Sequence, residues 1–258
     1  MPVPNNALKA ALVSKTPQIG IWLSLASSYT SEILAGAGFD WLLIDAEHGP
    51  NDIPTILAQA QTIGRHTSVV VRPPMGEAWM IKQILDLGVQ TLLVPMIESV
   101  AQAKSVIAAT QYPPKGIRGV GAGSARASNF GQMADYVKTA NDEICLILQV
   151  ESRAGLDALP GILRLEGVDC VFIGPADLAA DMGYPGNSAA EPVQKAIDDA
   201  LCLIVASGKS AGILTFDLAA VPHYLKLGVT FIGVGSDVSL LAKVATGLAA
   251  QIKNVMAK

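Results

Sequence analysis

The chain has 258 residues, 51% of them hydrophobic, 16% charged and 5% aromatic, with a formal net charge of −4 and mean hydropathy of +0.42. So apolar a composition excludes a disordered chain, no run reaches the ~18 uninterrupted apolar residues of a membrane span, and the acidic balance makes no electrostatic case for nucleic acid. Cys145, Cys170 and Cys202 are odd in number and lack metal-ligand spacing, so neither a disulfide framework nor a zinc site follows. The N-terminal segment MPVPNNALKAALVSK has polar residues and proline where a signal peptide carries its apolar region, which points to the cytoplasm.

In chain order, apolar runs predict strands over 18–25, 39–45, 68–72, 91–95, 144–150, 169–174, 210–214 and 231–234. Helical stretches fall between them, among them 52–64, 77–87 and 99–109. Ser99 with Gln102, and Ser188 with Glu191, have capping-box spacing. One local pattern recurs as AGFDWLLI (37–44), LGVQTLLV (87–94), EGVDCVFI (166–173) and LGVTFIGV (227–234). Each reads as a helix that ends at a glycine of positive φ and passes into a buried strand. Eight alternating strand and helix units in about 250 residues predict a parallel sheet closed into a single-domain (β/α)8 TIM barrel. A doubly wound open sheet is the alternative, but it needs a nucleotide loop: GVGAGSAR (119–126) misses the GxGxxG spacing, and SGKS (207–210) lacks the glycine of a phosphate loop, because Leu203 stands there. No nucleotide cofactor is therefore expected. The long irregular stretch 111–134, with Arg118 and Arg126, reads either as cover for a site that holds an anion or as a solvated crossover between the fourth and fifth strands.

In such a barrel the chemistry sits at the C-terminal ends of the strands. The second run ends in Asp45, Glu47 and His48, the third in Arg72, the fourth in Glu98, the fifth in Gln149 and Glu151, the sixth in Ala176 and Asp177, and the eighth in Asp237. Leu214 at the end of the seventh reads as an apolar wall. Glu151 and Asp177, from adjacent strands, have the chemistry to share a hard divalent cation completed by waters and a chelating substrate. Arg72 offers a fork to a substrate carboxylate or oxyanion, and His48 can move protons near neutral pH. Glu47 either faces solvent or reaches a water on the cation. Glu98 and Asp237 are expected at helix starts, His66 and His223 at the surface, and the three cysteines in the core. No strand core contains a lysine (Lys82 is helical, Lys115 lies in the long loop and Lys209 precedes a strand), so no Schiff-base lysine is expected and a metal ion is left to polarise the carbonyl. Together these point to enolate chemistry on a 2-oxo acid.

The strings LLIDAEHGPND (42–52), VVRPP (70–74), GIRGVG (116–121), LILQVES (146–152) and VFIGPADLAADMGYPGN (171–187) resemble the HpcH/HpaI aldolases, class II metal-dependent pyruvate aldolases, over roughly residues 5–255. The resemblance implies that Glu151 and Asp177 ligate Mg²⁺ or Mn²⁺, or Co²⁺ in their place. It implies that Gln149, the backbone at Ala176, Asp177, Arg72 and Leu214 bind substrate, and that Arg72 stabilises the enolate. His48 would be the acid–base group, with Asp86 raising its basicity; Asp45 would help to orient it, and Glu47 would stand beside these groups without touching substrate. The implied reaction is reversible aldol cleavage and addition between pyruvate or hydroxypyruvate and an aldehyde. The implied assembly is a hexamer, a trimer of dimers; the apolar C-terminal stretch 238–253 reads either as a helix exchanged between subunits or as the ordinary eighth barrel helix. The alternatives are an oxaloacetate decarboxylase or citrate-lyase-like enzyme of the same superfamily, and a non-catalytic sugar-acid binding protein.

Overall fold

The recurring helix–glycine–strand pattern is built as its chemistry requires. Gly38, Gly88, Gly167 and Gly228 all adopt positive φ, between 86° and 94°, where a Cβ is strained and glycine is not. Each reverses the chain out of a helix and delivers it into a strand. The computed structural model describes residues 3–257. Its strands are β1 (Gln18–Leu23), β2 (Trp41–Asp45), β3 (Ser68–Arg72), β4 (Thr91–Val94), β5 (Cys145–Val150), β6 (Cys170–Ile173), β7 (Ser210–Leu214) and β8 (Phe231–Ser236). They pair in parallel, each with the next and β8 with β1, as a closed barrel. The fold is the expected (β/α)8 barrel.

The helices are α1 (Ala7–Val13), α2 (Ser28–Ala35), α3 (Ile53–Ile63), α4 (Ala78–Asp86), α5 (Val100–Thr110), α6 (Tyr136–Glu143), α7 (Arg153–Ile162), α8 (Pro175–Asp181), α9 (Glu191–Ala206), α10 (Val221–Lys226) and α11 (Asp237–Met256). Among the described residues no helix is long and apolar enough to cross a membrane.

Two cores follow from the strand period of two. One phase faces the helices and forms a layer that includes Leu42, Ile44, Val71, Leu92, Leu148 and Val171. The other phase fills the barrel with Trp22, Trp41, Leu43, Val70, Leu93, Cys145, Ile147, Cys170, Phe172 and Phe231. Aromatic residues are few in the chain but concentrated here: Trp41 stacks on Phe231 with centroids 4.0 Å apart, and Trp22 meets Trp41 edge-on at 5.5 Å. They fit because the facing positions are glycines. A Cβ on Gly20 would stand 2.0 Å from the Trp41 ring, and one on Gly233 would stand 2.3 Å from Trp22. Helix α1 closes the N-terminal end of the barrel with buried Leu8 and Leu12.

Several local expectations change. β1 stops at Leu23, before residue 25, because the backbone N–H groups of Ser24 and Leu25 donate to the Asp237 carboxylate instead of to a neighbouring strand. Ser99 caps α5 by accepting from the Gln102 N–H, but the Gln102 side chain accepts from Glu98 N–H, so the box is only half formed. Ser188 caps nothing; α9 starts at Glu191 after Ala190, with Pro192 in its first turn and the Gln194 side chain donating to the Ser188 carbonyl. Cys202 is exposed on α9, while Cys145 and Cys170 are buried inside the barrel.

Candidate active site

The inward phase that gives β2 its Trp41 and Leu43 continues to Asp45, and the phase of Val70 on β3 continues to Arg72. On β5, Cys145 and Ile147 are followed by Gln149 and, one step past the strand, Glu151. The polar residues therefore emerge at the C-terminal mouth as the last layer of the barrel filling. Arg72 is buried and held on two sides. Its Nε donates to Asp45 Oδ1 at 2.9 Å and its Nη2 to Asp45 Oδ2 at 2.8 Å, a bidentate pair. Its Nη1 stands 2.8 Å from Glu47 Oε2 as an ion pair. Burial disfavours the Arg72 cation, but pairing with Asp45 and Glu47 outweighs this and keeps the guanidinium protonated.

Glu151 is 2% exposed. Its Oε1 accepts from the Met96 N–H at 2.9 Å, and its Oε2 accepts from the Gln149 side chain. Met96 holds the left-handed conformation, φ 56°, to present that N–H, a strained arrangement for a side chain with a Cβ. A Cβ at position 174 would lie 2.4 Å from Glu151 Oε2, so Gly174 makes the room the carboxylate needs. Burial pushes the Glu151 carboxyl up to about 7 against the pull of these two hydrogen bonds, and nearby Glu47 and Asp177 add to the rise. Glu47 is raised as well, first by its burial and against the Arg72 charge. Gln149 is fully buried with its Oε1 unpartnered. Asp177 and Ala176 are exposed in the first turn of α8, across from Glu151. Leu214 is half-buried beside the barrel filling. His48 is exposed at the rim, its Nε2 3.7 Å from Glu47 Oε2.

The set Asp45, Glu47, His48, Arg72, Gln149, Glu151, Ala176, Asp177 and Leu214 thus falls at one mouth. Two other sets of residues lie away from this mouth in their own chain. Asp86 ends α4, at the opposite end of the barrel, where its Oδ1 accepts from Arg118 Nη2 at 2.8 Å; it makes no contact with His48 of its own chain among the described residues. Arg118 and Arg126 cover no anion at the catalytic mouth. Arg118 is buried against Asp86 and the Tyr112 ring, and Arg126 donates to the Leu87 carbonyl, so stretch 111–134 packs at the end of α4. Both placements follow from direction: a helix after β3 runs back towards the start of β4. Asp237, expected at a helix start, does begin α11 and also ties β8 to the end of β1. His66 and His223 are exposed as expected. Reading the sequence missed Gly174 and Met96. A glycine before the Pro-Ala-Asp string was the only visible signal of the first; the second had none. A groove of about 1120 Å³ lies at the far end of the barrel, lined by Gln18, Ser68, Gln90 and Arg126, away from all of these groups.

Carboxylates around a buried, uncompensated site favour a hard cation. Glu151 and Asp177 fit such an ion: one is buried with its charge opposed by burial, the other is open to solvent, so added waters and a bidentate substrate have space. Among the described residues no cluster of three or more His, Cys, Asp or Glu is placed to enclose a metal ion by itself.

A model of the HpcH/HpaI aldolase/citrate lyase family matches residues 18–244. A hydroxypyruvate/pyruvate aldolase of Deinococcus radiodurans is 55% identical over 251 residues, 97% of this chain and 91% of the relative. A 4-hydroxy-2-oxo-heptane-1,7-dioate aldolase of Escherichia coli is 53% identical over 247 residues, 95% of this chain and 94% of the relative. The crystal structure of an HpcH/HpaI aldolase/citrate lyase family protein from Burkholderia cenocepacia superposes with a TM-score of 0.93 at 39% identity, covering 96% of this chain and all of that one.

Proposed function

The chain belongs to the HpcH/HpaI aldolase/citrate lyase family and is a carbon–carbon lyase, and from that premise we propose that it catalyses reversible aldol cleavage and addition between pyruvate or hydroxypyruvate and an aldehyde, with a divalent ion, Mg²⁺ or Mn²⁺, held by Glu151 and Asp177. The observation that carries this reading is the buried Glu151 carboxylate, fixed by the Met96 N–H and Gln149 but in no ion pair among the described residues, beside an arginine already paired with Asp45 and Glu47.

When bound, a divalent ion supplies Lewis-acid polarisation of the 2-oxo group. The rest falls to the chain. Arg72 has its Nε and one N–H of Nη2 fixed by Asp45, and Nη1 faces Glu47. The donors that remain lie at the end of the fork and meet the oxygen on which enolate charge develops. Such preorganised contacts are typically worth about 3 kcal/mol of barrier each. Gln149 and the backbone at Ala176 and Asp177 hold the 2-oxo acid, and Leu214 walls it. His48, at the rim where the aldehyde enters, exchanges the proton of the aldol hydroxyl. Asp45 acts through Arg72 and through the backbone of residues 47 and 48, whose N–H groups it accepts. Asp86 has no part in the site of its own chain.

The decisive experiment is exchange of pyruvate methyl protons in D₂O, followed by NMR. Exchange with Mg²⁺ or Mn²⁺ that stops on chelation is expected. Binding without exchange would point to a sugar-acid binding protein, and covalent trapping by borohydride would point to a lysine mechanism. Comparison of kcat/KM for hydroxy-oxo acids and oxaloacetate separates aldol cleavage from decarboxylation. A cytoplasmic hexamer, a trimer of dimers, is the assembly we propose. It is supported by α11, which leaves Leu241, Val244, Leu248 and Ile252 exposed along one stripe, an apolar face suited to exchange with a second copy. Light scattering tests it.

A further inference from the structure

Ser99 and Gln102 have the spacing of a capping box, yet only Ser99 caps; the Gln102 side chain is used elsewhere, and its use leads to Glu151. β4 and β5 run in register as far as Val94 and Leu148. Pro95 then has no N–H to offer a neighbouring strand. Beyond it the Ile97 N–H donates to the Gln149 carbonyl at 3.0 Å. Met96 is left over between them, in the manner of a bulge that re-aims a group beside a site. It adopts φ 56°, and its N–H turns to Glu151 Oε1 at 2.9 Å. A left-handed backbone is roughly 5- to 30-fold less populated for a residue with a Cβ, and it persists only where the surroundings hold it. Gln102, in the first turn of α5, supplies that hold. Its Nε2 donates to the Met96 carbonyl at 2.9 Å, and its Oε1 accepts from the Glu98 N–H at 2.9 Å. One side-chain amide thus spans the turn from Met96 to Glu98, using a donor at one end and an acceptor at the other.

We propose that Gln102 is a positioning residue for the reaction: by clasping the turn Met96–Glu98 it keeps the Met96 N–H aimed at Glu151 and so fixes the carboxylate in the orientation in which it receives the ion. The need is physical. The last torsion of a glutamate side chain is broad, so burial alone does not set the direction of its oxygens. Gln149 holds Oε2 and the Met96 N–H holds Oε1, and the second of these bonds exists only while Met96 stays left-handed. Gln102 acts through the backbone of Met96 and makes no hydrogen bond to Glu151 among the described residues. The consequence for the ion rests on the ligand role proposed above for Glu151; the consequence for the Met96 N–H does not.

The test uses the full chain labelled with ¹⁵N-methionine, in which the Met96 amide is the resonance, among those of seven methionines, that M96G lacks. In the metal-free protein, Q102L and Q102A are expected to move that amide proton upfield, as Glu151→Gln does, because the bond to the carboxylate is weakened; thermal melts confirm that the variants fold. Titration with Mn²⁺, followed by electron paramagnetic resonance, is expected to give a Kd about 10-fold higher in Q102L than in wild type, the scale of a lost outer partner of a metal ligand. The double variant M96G/Q102L is expected to return to within about threefold of wild type, because glycine takes the left-handed backbone without a clasp. A role of Gln102 confined to starting α5 would not be rescued at position 96. An unmoved Met96 resonance, an unchanged Mn²⁺ affinity in Q102L, or a loss that M96G does not recover would overturn the proposal. Wild-type protein that binds no Mn²⁺, or binds it equally in Glu151→Gln, would remove the ligand role of Glu151 instead, and the Met96 resonance would still decide whether Gln102 aims that N–H.

Discussion

The two ends of the barrel use similar polar side chains to opposite effect. At the N-terminal end most of these groups find partners, although Thr230 Oγ1 and Arg118 Nε and Nη1 have none among the described residues. Asn6 accepts from Lys9 N–H and donates to Gln90 O, Thr91 Oγ1 and Glu143 O, while its own N–H reaches the Glu143 carboxylate at 2.6 Å. Lys9 Nζ donates to the carbonyls of Asp142 and Ile144, Lys209 Nζ to those of Leu165 and Val168, and the Ser210 hydroxyl to that of Leu12. These bonds clamp α1 across the strands while Leu8 and Leu12 fill the barrel. At the C-terminal mouth Glu151 is a buried and Glu47 a half-buried carboxylate, each opposed by its burial, Gln149 Oε1 is unpartnered among the described residues, and Met96 is strained. A buried charge without a counter-charge costs stability. One end closes the fold; the other stores the electrostatic demand that a cation and an anionic substrate satisfy.

If that division is right, substitutions at the two ends separate activity from stability. Asp177→Asn, at an exposed position, is expected to lower kcat/KM for aldol cleavage by about 10³-fold or more, the scale of a lost electrostatic contact in catalysis, with the melting temperature nearly unchanged. Leu8→Ala at the other end should cost about 2–5 kcal/mol in denaturant unfolding, the range for a truncated core leucine, with kcat per folded molecule unchanged. Glu151→Gln joins both effects with opposite signs: activity is lost, yet the metal-free protein gains about 1–2 kcal/mol at pH 8, because a neutral isostere removes the buried charge.

The pH dependence sharpens the same contrast. The Glu151 carboxyl is raised from 4.5 to about 7 by burial. Between those values the folded protein binds more protons than the unfolded chain, so this group's contribution is present below about pH 4.5 and is lost as pH rises through about 7. Unfolding curves from pH 5 to 8 should therefore show the wild-type metal-free protein losing stability relative to Glu151→Gln, and added Mn²⁺ should reduce the difference. The smallest effect is expected at Cys202, which is exposed while Cys145 and Cys170 are buried. A thiol reagent on the native protein should label it alone, with activity retained.

The barrel was legible because its signals are local. A glycine of positive φ before each of four strands and an apolar run of four to six residues follow from backbone sterics and burial, and both survive folding unchanged. The mouth residues were legible because parallel strands all point one way, so whatever follows an apolar run arrives at one rim. Asp86 and Arg118 lie away from that rim in their own chain for the converse reason. Their positions late in α4 and in the loop after α5 send them to the other rim, and the resemblance carried no direction. Ser188 failed as a cap because α9 starts at Glu191 after Ala190, with Pro192 in its first turn. Met96 was invisible, since nothing in its type suggests a left-handed backbone; the demand comes from Glu151, 55 residues further along.

Manganese binding tests the central claim most directly. Titration of the metal-free wild type with Mn²⁺, followed by electron paramagnetic resonance, is expected to give one bound ion per chain, with that binding lost in both Glu151→Gln and Asp177→Asn. Stoichiometric Mn²⁺ binding that survives both substitutions would contradict the account.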